Sequence, residues 1–366
     1  MAGNAREWCW NRADDERRYI LGGAWSELRY MFRESDAQSP FDRSPTNGFR
    51  LAKYSTPLLM DDDSADASPA ARACPLSKIH RDYSTERAAS DEVFDHFRNL
   101  YSFDPVELNP TVESVDDSYE HWRKETVSFD AAYADERVPL YLFLPRNGVP
   151  PYQAVVYFPE GDARSLKSSR ALYMRDVDFI IRSGRAVVYP VYQGTYERRH
   201  ESRERGPRSR RDLNVQWSQD LRRSVDYLET REDIDRDKLA YMGVSWGSSQ
   251  APIMVALEER FKAAILVAGG LPVSEVAFPE MDPLNFAPRA HAPLLMLNGR
   301  DDFIFPLETS QIPLFRFWGA SAEHKRHVLL ESGHIPPRSE LIKEVLDWLD
   351  RYLGPVDTTR VSSRSR

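Results

Sequence analysis

The stretch "LAYMGVSWGSSQAP", Leu239 to Pro252, sets Ser245 at the centre of a G-x-S-x-G pattern, after an apolar run and before a segment of helical composition. A serine hydroxyl is a weak nucleophile near neutral pH. One that attacks an acyl group needs a histidine to take its proton and an acid to orient that histidine. Gly243 and Gly247 suit this task, because a sharp strand-to-helix turn leaves no room for side chains beside the nucleophile. The N–H groups and positive dipole end of the helix that follows suit a developing oxyanion. The competing reading is a turn serine between two glycines, so the pattern needs support from the rest of the chain.

That support comes in the order Ser, Asp, His. "PLLMLNGRDDFIFP" is a strand-like run followed by Gly299, Asp301 and Asp302, and "RHVLLESGHIPP" is another followed by Gly333 and His334. Taken singly, the two aspartates read equally well as turn formers and His334 as a structural histidine. Their joint order, each just past a strand, selects the catalytic reading. His80, His96, His121, His200, His291, His324 and His327 follow no strand-end loop of the right order and read as structural or exposed. None has a metal-ligand spacing with a partner, so neither metal nor cofactor is predicted.

These residues must be held by strands and helices. From residue 109 onward the chain alternates between them: "ETVSFDA" and "VPLYLFLP" read as a hairpin, then "QAVVYFP", "RAVVYPV", "KLAYMGV", "KAAILVAG", "PLLMLNG" and "KRHVLLE" follow as mostly continuous apolar runs. Continuous runs predict strands covered on both faces, as in a mostly parallel sheet, here of eight strands. Trp217, Leu221, Val225 and Leu228 form one helical stripe between the strands, and Leu341, Val345, Trp348, Leu349 and Tyr352 another. The prediction is an α/β domain over residues 109–355 with its ligand crevice at the carboxyl ends of the strands. Before it, residues 1–56 are rich in Trp, Tyr, Gly and Arg. Residues 57–108 read as a linker and a helix carrying Val93, Phe94, Phe97 and Leu100, and residues 356–366 as a polar tail.

Composition narrows the class. The 366 residues carry a net charge of −8, which excludes a general nucleic-acid binder, since such a protein needs an excess of Lys and Arg to neutralise phosphates. Two cysteines, Cys9 and Cys74, are too few for a disulfide framework and fit a reducing compartment. The start lacks the pattern of a signal peptide, and no run approaches the roughly 18 apolar residues of a membrane span. A cytoplasmic protein without membrane association is expected.

With these residues in place, 109–355 resembles the α/β-hydrolase superfamily, in its cap-poor branch of esterases related to dienelactone hydrolases and prolyl-oligopeptidase-type domains. In that branch the acid occupies the D of G-x-x-D-x-x-x-P. "GRDDFIFP" matches with Gly299, Asp302 and Pro306, so the resemblance favours Asp302 over Asp301. "SGH" at Ser332–His334 fits the family's histidine loop. Dienelactone hydrolases themselves carry a cysteine nucleophile, so Ser245 implies ester-type acyl transfer. The oxyanion hole is expected from the N–H of Trp246 and one from the loop "PEGDARS", with Gly161 the leading donor and Glu160 or Asp162 as alternatives. Glu160 departs from the family's usual glycine, and Pro252 falls inside the expected helix.

The function implied is a serine carboxylesterase acting on small to medium esters through an acyl-enzyme. The alternatives are a serine peptidase or aminopeptidase of the prolyl-oligopeptidase type, and a non-catalytic interaction module with the same fold. Leu271, Val273, Val276, Phe278 and Phe286 are candidates to wall a substrate pocket, with ordinary packing as the competing reading. The segment Gly194–Asp212, with seven arginines against four acids, reads as a solvated loop, or as a feature favouring an anionic substrate.

The first 56 residues resemble the carboxyl-terminal end of the formylglycine-generating, or sulfatase-modifying, family. The resemblance rests on Gly3, Asn4, Glu7, Trp8, Gly22, Gly23, Trp25, Gly48, Phe49 and Arg50. The copper-binding cysteine pair of active members has no counterpart between Gly22 and Arg50, which implies a remnant without that activity. So short a piece is expected to bury Trp8, Trp10, Trp25, Tyr30 and Phe32 against the hydrolase domain, a second chain of a homo-oligomer, or other domains of a longer protein.

Overall fold

The computed structural model describes residues 4–13, 16–27, 32, 36–51, 81–104, 106–199 and 206–356. The chain divides into two compact units, one drawn from residues up to 80 together with 301–304, the other from the remainder. In the smaller unit, β1 (Arg6–Arg12), β2 (Arg18–Leu21), β3 (Asp36–Gln38) and β4 (Asn47–Gly48) form a sheet in the order β3-β2-β1-β4. Its core is small: Tyr19, Ile20, Ala24 and Ala37 are buried, and Arg6 pairs with Glu27 and Asp36. Burial pushes the Asp36 carboxyl up to about 6 although Arg6 opposes the shift. Trp25 is 70% exposed. Tyr30 lies outside the described residues.

The larger unit holds a nine-stranded sheet: β5 (Thr111–Asp116), β6 (Trp122–Asp130), β7 (Arg137–Pro145), β8 (Tyr152–Phe158), β9 (Ala186–Pro190), β10 (Ile234–Val244), β11 (Phe261–Val267), β12 (Leu294–Gly299) and β13 (Lys325–Leu330). The order is β13-β12-β11-β10-β8-β9-β7-β6-β5, parallel from β13 to β9 and antiparallel beyond. This is the α/β-hydrolase fold expected from the sequence, with one strand more than the eight counted there. All eight apolar runs are strands. The extra strand, β5, is an edge strand exposed along nearly its whole length, so "TVESVD" carries no apolar run to announce it.

Among the described residues seven α-helices accompany the sheet: α1 (Asp91–Leu100), α2 (Asp178–Arg182), α3 (Pro207–Glu229), α4 (Trp246–Leu257), α5 (Pro283–Phe286), α6 (Ile312–Phe317) and α7 (Arg338–Leu353). The stripes read on α3 and α7 are buried, apart from the partly buried Tyr352. On α1 only Phe94 is buried. Its ring meets Phe286 edge-on at 5.3 Å, and the Tyr83 hydroxyl donates to the Pro272 carbonyl at 2.7 Å. Residues 81–104 are therefore packed onto the hydrolase body. Phe286, a candidate pocket wall, is fully buried between Phe94 and Tyr101 and belongs to the core.

The edge strand β13 carries an acid-sensitive group. His327 packs beside Phe315, its Nε2 is buried with no hydrogen-bond partner, and burial lowers its pKa from 6.5 to about 4. The unfolded chain takes up this proton as pH falls through 6.5, whereas the folded protein resists until about 4. Stability is therefore lost across that window and levels off below it. In His327→Phe, urea unfolding at pH 6.5 and pH 4 should show a smaller acid loss than in wild type, by about 2 kcal/mol. Equal losses in the two proteins would contradict the assignment.

Candidate active site

Ser245 sits at the junction of β10 and α4 with φ 51° and ψ −103°, a backbone conformation that costs a non-glycine residue about 1–3 kcal/mol. Its neighbours hold it there. The Ser245 N–H donates to the Val267 carbonyl at 2.8 Å, and the Gly247 N–H donates to Pro159 O at 3.0 Å. The Ser248 hydroxyl lies 2.7 Å from both the Gly243 and the Val267 carbonyls, and the Tyr241 hydroxyl donates to Gly247 O at 2.6 Å. The two glycines are required by space: a Cβ on Gly243 would lie 2.5 Å from the Gly247 carbonyl carbon, and one on Gly247 2.2 Å from Phe158 O. Pro252 leaves α4 continuous. A mid-helix proline costs about 3 kcal/mol, and burial of eight of the helix's twelve residues offsets it.

His334 follows β13 on the loop that the sequence assigned to it. It is 1% exposed, and its Nε2 lies 2.8 Å from Ser245 Oγ, across 89 residues of sequence. That distance suits proton transfer from the hydroxyl to the ring. The loop reaches this place because Gly299 lets it pass: a Cβ there would be 1.8 Å from the Gly333 carbonyl oxygen. Phe305 flanks the imidazole with ring centroids 5.9 Å apart.

The two candidate acids have different surroundings. Asp302 is 3% exposed, and its Oδ1 accepts the Ile304 N–H at 2.8 Å. Asp301 is half-exposed and lies 3.5 Å from Arg17. Gln311, which the sequence reading passed over, is fully buried and donates to Gly299 O at 3.0 Å and Phe305 O at 2.8 Å. It thus ties together the two ends of the loop bearing both aspartates. No spacing rule would have found it, since a glutamine that bonds only main chain leaves no motif.

On the oxyanion side, Trp246 is the first residue of α4, where an N–H has no acceptor within its own helix. Gly161 opens a short 3₁₀ turn after β8, and a Cβ placed on it would lie 4.0 Å from that of Trp246. The two expected donors are thus neighbours. Glu160 turns its side chain away to Tyr157, whose hydroxyl donates to it at 3.1 Å. The Arg164 guanidinium lies 4.8 Å from the Trp246 ring centroid, and the indole meets Phe158 and Trp217 edge-on.

In the arginine-rich segment, Arg198 is committed inward. It pairs with the fully buried Asp220 at 2.7 Å and with Glu136 at 3.3 Å, and donates to the Tyr133 hydroxyl at 2.6 Å. Residues 200–205 of that segment lie outside the described residues. Among the described residues no group of three His, Cys, Asp or Glu could hold a metal, and no helix is long and apolar enough to cross a membrane.

Comparison with known proteins places these features in a family. Two curated relatives, uncharacterized proteins from two strains of Mycobacterium tuberculosis, are 27% identical over 147 residues, covering 37% of this chain and 51% of theirs. The chain thus spans about half the length of the curated relatives it matches. Among solved structures, an acetyl xylan esterase from Paenibacillus sp. R4 superposes with a TM-score of 0.59 at 18% identity, over 74% of this chain and 98% of its own. Acetyl xylan esterase 1 from Thermoanaerobacterium sp. JW/SL YS485 gives 0.57 at 16% identity, over 73% and 96%. These likenesses establish the shared fold. The family model for dienelactone hydrolases matches residues 139–335, the span that carries the serine elbow, both aspartates and His334, and the chain belongs to the dienelactone hydrolase family.

Proposed function

We propose that this protein is a serine carboxylesterase that hydrolyses small to medium carboxylic esters through an acyl-enzyme. The observation that carries the reading is the 2.8 Å contact between His334 Nε2 and the hydroxyl of a serine held in a strained elbow. In this reading His334 takes the Ser245 proton as Oγ attacks the ester carbonyl. The N–H groups of Trp246 and Gly161 receive the oxyanion, and protonated His334 returns its proton to the leaving alcohol. Water then enters and its oxygen bonds to the acyl carbon as His334 takes its proton; the Ser245 Oγ–acyl bond breaks, His334 returns the proton to Oγ, and the acyl group leaves as the carboxylic acid. Asp302 is the orienting acid. Its support is its place three residues beyond β12 and its burial, against the half-exposed Asp301.

The test is labelling with an organophosphonate, which forms a stable covalent adduct with an activated serine. Mass spectrometry of the digested adduct should place the phosphonate on Ser245. A folded protein left unlabelled would favour a non-catalytic module. Comparing short-chain activated esters with aminoacyl anilides then separates esterase from peptidase, and turnover of the esters alone is expected. We place the enzyme in the cytoplasm, a reading supported by the free thiol of Cys9. Residues 1–56 we read as a remnant of the sulfatase-modifying family without its oxidase activity, a reading supported by the absence of a cysteine pair in the matching sequence.

A further inference from the structure

Successive residues of a strand face opposite sides of its sheet, so Tyr157 of β8 points away from the face on which Phe158 meets Trp246. On its own side Tyr157 reaches two carboxyls at once. Its hydroxyl lies 3.1 Å from Glu160 Oε2 and 3.3 Å from Asp176 Oδ2. A phenol has one proton to donate. Both contacts are full two-centre hydrogen bonds where one of the acids keeps a proton of its own and donates it to the phenolic oxygen. Glu160 is fully buried, and its second oxygen, Oε1, is buried without a hydrogen-bond partner. A charge buried there is poorly compensated, whereas a neutral carboxyl is far less costly.

We infer that Glu160 and Asp176 hold a single proton between them through Tyr157, and that Glu160, in its protonated form, is a positioning residue that fixes the turn carrying the oxyanion donor Gly161. The inference rests on the esterase reading for its consequence but not for its chemistry. Glu160 lies between Pro159, whose carbonyl accepts the Gly247 N–H at 3.0 Å, and Gly161. Its own carbonyl accepts the Ala163 N–H at 3.2 Å. The anchored side chain therefore sits inside the main-chain segment that joins the elbow to the second donor.

The charges around the pair decide which acid keeps the proton. Asp162, on the turn after Glu160, and Asp178, at the start of α2, add negative charge; Arg175 beside Asp176 and Arg338 of α7, paired with Asp178, add positive charge nearer to Asp176. Tyr173, Tyr189 and Tyr196 complete the surroundings as neutral phenols. Burial, then the charge of Asp176, pushes Glu160 up to about 8, while burial pushes Asp176 only to about 6. Near pH 7 the proton therefore resides on Glu160. Above about pH 8 two like charges compete for one phenolic donor, and the turn loses its anchor.

Two measurements test this. The infrared spectrum of the folded wild type at pH 7 should contain the carbonyl band of a buried protonated carboxyl, absent from Glu160→Gln and titrating away near pH 8. With a short-chain ester, kcat/KM of the wild type should fall about tenfold between pH 7 and pH 9. Glu160→Gln should lose this alkaline limb, because an amide has no proton to give up in that range. Asp176→Asn should move the limb to lower pH, because it removes the charge that holds the proton on Glu160. No protonated band at pH 7 would overturn the shared proton, and an unmoved limb in both variants would overturn the positioning role. If the wild type neither turns over esters nor takes up a phosphonate, the esterase reading fails, while the infrared titration still decides the proton.

Discussion

Replacing Ser245 with alanine is expected to lower ester turnover by about four to six orders of magnitude and to leave the fold in place. The loss is large because, in the proposed mechanism, Ser245 Oγ is the atom that bonds to the substrate carbon, and alanine offers His334 no hydroxyl in its place. The fold survives because the features that build the elbow belong to other atoms. The main-chain bonds from Ser245 N–H to Val267 O and from Gly247 N–H to Pro159 O are indifferent to the Ser245 side chain. Ser248 and Tyr241, which staple the turn, are untouched. Alanine keeps the Cβ, so the strain at φ 51° is unchanged. The substitution removes the hydrogen bond to His334 Nε2, and such a bond contributes about 1 kcal/mol net. The check is kcat/KM on an activated short-chain ester beside a thermal melt of the same preparation. More than about a tenth of the wild-type rate in a folded variant would remove Ser245 from the mechanism.

The parts of this site that were legible in the sequence are those where chemistry and space leave few choices. Gly243 and Gly247 were readable because main chain passes within 2.6 Å of where their side chains would be, which no other residue tolerates. The apolar runs of β8 to β12 were readable because strands buried on both faces must be apolar throughout. What was not legible lacks that forcing. β5 pairs through main chain and faces solvent, so its residues are free to be polar. Gln311 and Ser248 act on carbonyls that many side chains could reach, and only the folded loop shows that these two do. Glu160 was visible as a departure from the family's glycine. Its partner Asp176 lies 16 positions away on an irregular segment and gave no signal. Arg198 misled in the opposite sense: a cation in a charged loop reads as solvated until its buried partner, Asp220, is known.

Adjacent aspartates provide the sharper test of the acid. Asp302→Asn is expected to lower kcat/KM by about four orders of magnitude, whereas Asp301→Asn should cost less than about fivefold. In the proposed mechanism His334 Nε2 accepts from the serine, which leaves Nδ1 to carry the proton that an orienting acid accepts. A carboxylate enforces that tautomer and stabilises the imidazolium that forms as Ser245 attacks. An amide in its place can donate to Nδ1 instead, which stabilises the wrong tautomer, and it brings no charge. Asp302 is buried, so its charge is little screened by water. Asp301 is half-exposed, and its contact with Arg17 is 3.5 Å long, the kind of surface pair that contributes about 0–1 kcal/mol. Asparagine at 301 keeps the size and turn preference of aspartate, so the loop is retained. The two variants differ by one position and carry the same charge change, and a thermal melt of each separates a loss of rate from a loss of fold. A difference in rate between variants that both remain folded reports the acid. The reverse order of effects would transfer the role to Asp301, and equal small effects would mean that His334 is oriented by some other group.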